Sequence, residues 1–210
     1  EKAEEMMWDM GFDHVEITQY PDDPDQLNIV GYNWGRVNPD EYIVIGGHFD
    51  IAYMFTPPGG GTNEGSNDDT SGSTVSLEVG QALAQMEFDH TVVAALWACE
   101  EEGLLGSLAY VANLPENVSV RTYMNFDMVS LNYPIVPLTE PLIDPLTGDI
   151  FEPTKYDWSI SIAGASDGNM DRMIGWVGES IDENLAYQPT EGNPIMWQKA
   201  ESCSSDHCSF

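Results

Sequence analysis

The sequence has very little positive charge. Only 6 of its 210 residues are Lys or Arg, against 36 Asp and Glu, so the formal net charge is −30 at pH 7. Because Lys and Arg are the residues that neutralise phosphate groups, nucleic acid and anionic membrane surfaces are poor partners for this chain. Cationic ligands and metal ions suit it better.

Long apolar runs and cysteines are also scarce. No run approaches the roughly 18 apolar residues of a membrane span. Of the three cysteines, Cys99 follows an apolar run and is interpreted most simply as a buried thiol. Cys203 and Cys208 enclose the short segment "SSDH", so they either close a disulfide loop or stay two thiols, with thiolate metal ligation a third alternative.

The excess of acidic residues is consistent with two settings. Self-repulsion of this size destabilises a compact chain unless salt screens it, and the Debye length falls to about 3 Å near 1 M salt. The protein is therefore either halophilic or simply an acidic extracellular protein with no salt requirement. We expect the protein to be secreted and the chain to be trimmed at both ends. At the N-terminal end this expectation follows from the start at Glu1 rather than Met, inside a helical pattern.

Length and composition predict one globular domain over residues 1–210, because 42% of the residues are hydrophobic. Two continuous apolar runs, 41–50 and 91–98, are typical of buried strands in a largely parallel sheet. Further strands are predicted at 14–20, 27–35, 121–129 and 158–165, and helices at 1–10, from 67 to 86, after Gly103 and after residue 167. The helix ending near residue 86 is expected to pack through Val75, Val79 and Leu83. This alternation predicts an α/β fold, a three-layer α/β/α sandwich around a mixed, mostly parallel sheet.

Acidic and histidine side chains recur where the predicted strands end, which is where open α/β sheets bind their ligands. They are His48, Asp50, Asp68, Asp69, Glu100, Glu101, Asp127, Asp206 and His207. Taken singly, some of these acids are equally typical of a helix start, since acids cap helices and favour their first turn. Together they are too repulsive to stay without a counter-charge, and this predicts one or two divalent metal ions.

Five motifs carry this cluster in chain order. They are "GGHFD" (46–50), "GSNDDTSG" (65–72), "ACEEEGLLGS" (98–107), "NFDMV" (125–129) and "SDHCSF" (205–210). In these motifs, and in their order and intervals, the sequence resembles the co-catalytic dizinc exopeptidases of peptidase family 28. The resemblance spans residues 46–210 and implies hydrolysis of peptides at two zinc ions per chain.

The resemblance also implies a role for each residue. His48 and Asp127 would bind one zinc, Glu101 and His207 the other, and Asp68 would bridge both. Glu100 would be the general base. The acids implied to support the ligands are Asp50, expected to orient His48, together with Asp69 and Asp206. The peptide bond between Asp68 and Asp69 is expected to be cis, as is usual in the family.

Three functions compete. The acidic pocket favours a free N-terminal ammonium, so peptides with a free N-terminus are the expected substrates and an aminopeptidase the expected enzyme. A carboxypeptidase or dipeptidase on the same metal core would need Arg121, Arg172 or Lys199 near the metals, because a substrate carboxylate needs a cation. A non-catalytic peptidase-like binding domain is the third, and a single-zinc cyclotransferase is a weaker fourth.

The last motif departs from the family pattern. Ser209 stands where the family usually has proline, and Cys208 is unusual at its position. Because His207 lies three residues from Phe210, we expect its side chain to be mobile.

Overall fold

The structure is a computed structural model that describes residues 2–20, 23–52, 64–129, 142–143, 150–151, 160–164, 195–199 and 205–210. It contains two compact units, Glu1–Ser130 with Cys203–Phe210, and Leu131–Ser202. All of the predicted site residues belong to the first unit. The single domain over residues 1–210 stays a prediction.

The first unit is built on a five-stranded sheet. Its strands are β1 (His14–Tyr20), β2 (Asp23–Asn33), β3 (Asn38–His48), β4 (His90–Trp97) and β5 (Ser119–Asn125), in the spatial order β1-β2-β4-β3-β5. Strand β2 is antiparallel to both β1 and β4, whereas β3 is parallel to β4 and to β5. Four strands therefore run in one direction and β2 in the other, which confirms the mixed, mostly parallel sheet.

Helices cover both faces of this sheet. They are α1 (Lys2–Met10), α2 (Thr70–Ala84) and α3 (Leu105–Ala112), and a 3-10 helix follows at Asp206–Ser209. Along β4, Val93 and Trp97 pack with Tyr110 of α3, while Leu96 packs with Met7 of α1 on the opposite face. Because side chains alternate along a strand, the one buried strand supplies both core layers. The three-layer α/β/α sandwich is confirmed.

Helix α2 packs through small residues rather than through its apolar stripe. Its buried residues are Gly72, Ser73, Ser76 and Gly80, whereas Val75, Val79 and Leu83 are only half-buried. A Cβ added to Gly80 would lie 2.7 Å from the Cβ of Ala94. The prediction that the three apolar side chains form the packing face is therefore wrong, because the helix lies too close to the sheet for them.

The second unit is described only in its strands. β6 (Leu142–Ile143) pairs antiparallel with β7 (Ile150–Phe151), and β8 (Ile160–Gly164) pairs parallel with β9 (Ile195–Lys199). Strand β8 lies within the strand predicted at 158–165. The helix predicted after residue 167 lies outside the described residues, and so does Cys203, one of the two cysteines for which a disulfide loop was one alternative. Among the described helices, none combines the length and apolarity needed to cross a membrane.

Candidate metal centre

His48, the last residue of β3, is the centre of the acidic cluster. Its side chain is 1% exposed, and Ser73 Oγ donates a hydrogen bond to its carbonyl oxygen. The two ring nitrogens face different carboxylates: Nδ1 lies 3.4 Å from Asp50 Oδ1, and Nε2 lies 3.2 Å from Asp68 Oδ1. With Nδ1 directed at Asp50, the ring presents Nε2 to the rest of the cluster.

Asp50 connects this imidazole to the turn after β4. Its Oδ1 accepts a hydrogen bond from the backbone N–H of Glu100 (3.0 Å), and its Oδ2 accepts one from that of Glu101 (3.1 Å). One carboxylate thus fixes the position of His48 and the backbone of both glutamates. The two glutamate side chains differ, because Glu100 is only 9% exposed whereas Glu101 lies at the surface.

The start of α2 is held against the segment that follows β5. Asp69 caps the helix: its Oδ1 accepts from the backbone N–H of Gly72 (2.9 Å) and from that of Met128 (3.1 Å). A Cβ on Gly72 would collide with the carbonyl oxygen of Phe126. Only glycine allows this approach, which places Asp68 and Asp127 on the same side of His48.

Among the residues that the structure describes, two groups of side chains have the spacing of a metal site, each with its ligand atoms within 4.8 Å of one another. The first is His48, Asp68 and Asp127, and the second is His48, Glu100 and Glu101. The first group matches the set predicted for one zinc, and the Asp68–Asp69 peptide bond is cis as expected. The second group contains Glu101, the predicted ligand of the other zinc, beside the predicted base.

His207 belongs to neither group. Its Nε2 is buried and has no hydrogen-bond partner among the described residues, which suits an imidazole that ligates a cation. Phe210 stacks on Tyr123 with ring centroids 4.2 Å apart, and Ser209 Oγ lies 2.7 Å from Ser107 Oγ. These contacts anchor the segment around His207, in contrast to the mobility expected from its place near Phe210.

The protonation of the acids reflects their crowding. Burial, reinforced by neighbouring carboxylates, raises the pKa of Glu100 to about 8 and that of Asp206 to about 6. Burial also raises the pKa of Asp69 to about 7. Burial acts to lower the pKa of His48, but the carboxylates of Asp127, Asp50 and Asp68 raise it well above its usual range.

These residues fit a divalent cation. Imidazole nitrogens and carboxylate oxygens are the donors that zinc takes in proteins, and the cluster is short of positive charge. The fit rests on three features: the two groups of closely spaced donors, the buried Nε2 of His207, which has no partner in the described part of the chain, and the acids whose pKa is raised by burial.

Sequence reasoning missed several residues of this region, among them Ser73, Gly72, Asn125 and Ser205. The last three lie inside the five motifs, which is the only signal that marked them. The Asn125 amide and the Ser205 hydroxyl bond to neighbouring side chains rather than ligating a metal. Glu102, for which no role was predicted, is exposed.

Residues 28–154, more than half of the chain, match the pattern of Peptidase family M28. Over 144 residues the chain is 31% identical to a glutamate carboxypeptidase 2 homolog of Caenorhabditis elegans, covering 63% of this chain and 17% of that protein. Over 99 residues it is 38% identical to aminopeptidase Y of Saccharomyces cerevisiae, covering 46% of this chain and 17% of that protein. The chain thus spans less than a fifth of the length of these relatives.

Solved structures share the fold. The LapA aminopeptidase of Legionella pneumophila superposes with a TM-score of 0.64 at 19% identity, covering 99% of this chain and 47% of that one. BSAP, a zinc aminopeptidase from Bacillus subtilis, superposes with a TM-score of 0.55 at 21% identity, covering 88% and 37%. At this identity the likeness shows the α/β fold and nothing more specific.

Proposed function

The chain belongs to peptidase family M28, and from this we propose that it is the metal-binding part of a secreted zinc exopeptidase. The activity we propose is an aminopeptidase that releases N-terminal residues from peptides, with two Zn²⁺ ions per chain. Support comes from the family match, from the aminopeptidase among its relatives and from a zinc aminopeptidase among the structures that share its fold. The strongly acidic composition supports the extracellular setting.

The observation that carries this proposal is the placement of Glu100. Its nearly buried carboxylate has Oε2 4.0 Å from His48 Nε2, the same nitrogen that faces Asp68 and Asp127. A carboxylate held beside a metal ligand set, without being needed to complete the first group, supports the proposed role of general base. Asp50 holds the backbone of this glutamate, so its position does not depend on a flexible turn.

In this proposal His48 and Asp127 would hold one zinc, Glu101 and His207 would hold the other, and Asp68 would be shared by both. Bound zinc would supply Lewis-acid chemistry, polarising the peptide carbonyl and making water more acidic. Glu100 accepts a proton from the attacking water and returns it to the leaving amine. Asp50 keeps the His48 ring and the turn carrying both glutamates in one arrangement during these steps.

The charge around the site favours an N-terminal ammonium over a C-terminal carboxylate. A carboxypeptidase is the second candidate, because one relative is named as a homolog of such an enzyme. Its substrate carboxylate needs a nearby cation. Of the Arg side chains that the structure describes, Arg36 pairs with Glu87, and Arg121 lies 3.8 Å from Glu41 at the other end of β3. Neither approaches the cluster, whereas acids surround it.

Metal content and substrate choice test the proposal together. The chain is purified in high salt, its zinc is counted by elemental analysis, and it is assayed on a leucyl-p-nitroanilide and on the N-acetylated form of the same compound. We expect two zinc ions per chain and cleavage of the free-amine substrate alone. A chelator should abolish this cleavage, and added zinc should restore it.

Other results would contradict the proposal in distinguishable ways. Release of the C-terminal residue from an N-acetylated dipeptide would identify a carboxypeptidase on the same metal core. Absence of bound zinc together with absence of cleavage would favour a non-catalytic binding domain. One zinc per chain would contradict the two-ion centre.

A further inference from the structure

A buried side-chain amide joins the two ends of the turn that carries Glu100 and Glu101. The amide belongs to Asn28, in the middle of β2, which is only 4% exposed. Its Oδ1 accepts a hydrogen bond from the backbone N–H of Ala98 (3.0 Å), and its Nδ2–H group donates one to the carbonyl oxygen of Gly106 (2.8 Å). One amide thus pairs a donor at one end of the turn with an acceptor at the other, and only one orientation of its O and N atoms allows both bonds.

The same two ends of the turn are also bonded directly to each other. The backbone N–H of Gly106 donates to the carbonyl oxygen of Ala98 (3.0 Å), so these two residues and the Asn28 amide form a closed ring of three hydrogen bonds. A Cβ on Gly106 would collide with Asn28 Oδ1 and with the carbonyl oxygen of Ala98. The absence of a side chain at residue 106 is therefore what allows the amide to reach both ends.

The turn between these ends needs such support. Cys99 and Leu104 have left-handed φ values of 55° and 62°, which are uncommon in residues other than glycine. Residues in such conformations persist only where surrounding contacts hold them. Asp50 supplies contacts at the middle of the turn, through the backbone N–H of Glu100, and Asn28 supplies them at its two ends.

Asn28 also connects the turn to the sheet. The backbone pairing of β2 with β4 extends to Ile29 and Leu96, and β4 ends one residue later at Trp97. The Asn28 side chain then supplies hydrogen bonds to the turn that follows. Because the sheet is fixed by the hydrophobic core on both of its faces, the turn takes its position from the most rigid part of the unit.

We propose that Asn28 is a positioning residue that holds Glu100 beside the metal cluster. The inference rests on the proposed function, because it takes Glu100 to be the general base. Asn28 acts through the backbone at the two ends of the turn rather than through a bond to a carboxylate. Because a displacement of about 1 Å can cost about 100-fold in rate, loss of the amide should lower kcat although the base itself is still present.

The same strand offers a matched control. Asn33, at the end of β2, also uses its side-chain amide to bond to backbone, and its Nδ2–H group donates to the carbonyl oxygens of Leu83 (3.2 Å) and Met86 (2.9 Å). Asn28→Leu and Asn33→Leu therefore remove the same kind of group from one strand. Only the first removes a contact with the turn that carries Glu100.

The first measurement is the steady-state cleavage of leucyl-p-nitroanilide by the full chain, saturated with zinc and with rates given per zinc-loaded chain. For Asn28→Leu we expect kcat to fall about 10- to 100-fold with KM nearly unchanged, and for Asn33→Leu we expect kcat near that of the wild type. In a Glu100→Gln background, Asn28→Leu should lower kcat by less than about threefold, because the group through which the amide acts has been removed.

Hydrogen exchange of the metal-free chain gives a second readout that does not depend on activity. Local opening of the turn should become easier without the Asn28 amide, so the backbone amides of residues 98–106 should exchange about tenfold faster in Asn28→Leu than in the wild type. In Asn33→Leu their exchange should match the wild type. The amides of β4 serve as the internal reference for unfolding of the whole sheet.

Several results would overturn the inference. Equal losses of kcat from Asn28→Leu in the two backgrounds would mean that the amide supports the fold without acting through Glu100. Unchanged kcat, or unchanged exchange of residues 98–106, would mean that the amide does not hold the turn. In these cases the wild-type chain still binds zinc and cleaves the substrate, so the proposed function stands. If the wild-type chain neither binds zinc nor cleaves the substrate, both the proposed function and this inference fail.

A second pair of variants covers the case in which Asn28→Leu does not fold. Asn28→Asp keeps the shape of the side chain and the oxygen that accepts from Ala98, but it replaces the N–H group that donates to Gly106 with a second oxygen. Asn33→Asp makes the same exchange at the control position. We expect the loss of kcat to be larger in Asn28→Asp, and again to be small in the Glu100→Gln background. A loss no larger than in Asn33→Asp would overturn the inference.

Discussion

The two ends of the parallel strands carry similar acids in opposite surroundings. Where the strands begin, Glu41 lies 3.2 Å from His90 Nδ1 and 3.8 Å from Arg121 Nε. Where they end, the carboxylates of Asp50, Asp68 and Asp127 surround a single buried imidazole. Where the strands begin, the carboxylate of Glu41 is paired with cationic groups of the chain itself. Where the strands end, the carboxylates outnumber the one imidazole that they surround.

This difference shows where a counter-charge has to come from outside. The first unit has only three Lys or Arg side chains, and two of them, Arg36 and Arg121, pair with Glu87 and Glu41 away from the cluster. The third, Lys2, belongs to α1. Among the described side chains of the first unit, both paired cations lie away from the acidic end, which suits a metal ion as the counter-charge there.

The largest effect should follow from removing the proposed base. For Glu100→Gln we expect kcat to fall about 100- to 10,000-fold, because proton transfer by a positioned side chain contributes that much. Zinc content should not change, since the adjacent Glu101 stays in place. Glu102→Gln, the same substitution at the exposed neighbour, should leave kcat unchanged. Equal rates in the two variants would remove Glu100 from the mechanism.

An intermediate effect should follow from Asp50→Asn, which replaces the carboxylate that faces Nδ1 of His48. The amide retains only one acceptor oxygen for the two backbone N–H groups and loses its charge beside Nδ1. Zinc affinity measured by chelator competition should fall about 10- to 100-fold. Asp13→Asn is the control, because Asp13 Oδ2 accepts a backbone hydrogen bond from Trp34 (2.9 Å) far from the cluster. Wild-type affinity in Asp50→Asn would contradict the supporting role.

The smallest effect should come from the other end of the strands. Glu41→Gln removes the charge between His90 and Arg121, but Glu41 is 35% exposed and Arg121 62% exposed. Exposed ion pairs contribute little, so we expect the free energy of unfolding in urea to fall by less than about 1 kcal/mol. Salt near 1 M should remove the difference, and zinc affinity should not change. A change in zinc affinity would mean that the two ends are coupled.

Much of the fold was predictable because the strands of this sheet are strongly patterned. The two apolar runs form β3 and β4. Strand β3 is buried over its second half, and β4 is buried along nearly its whole length. Continuous apolar runs of this length are typical of buried strands in a parallel sheet. The site could be located for the same reason, since the polar residues that end these runs must lie at one edge of the sheet.

Element ends and packing faces were less predictable. The strand expected at 121–129 ends at Asn125, because Asp69 accepts the backbone N–H of Met128 and Met128 takes a left-handed φ of 51°. The pattern of apolar residues continues through Met128 and Val129 although both are exposed. Likewise, β2 begins at Asp23 rather than at residue 27, within a turn-like stretch.

The sequence by itself determined the α/β fold and the residue types available to bind metal, because hydrophobic period and residue chemistry are local properties of the chain. Only the tertiary structure decided that Asp50 accepts hydrogen bonds from the backbone of both glutamates, that Gly72 of α2 packs against Phe126, and that the Asn125 amide bonds to Ser205. These three contacts connect residues 50 to 80 positions apart, and no local pattern records which residues meet across such separations.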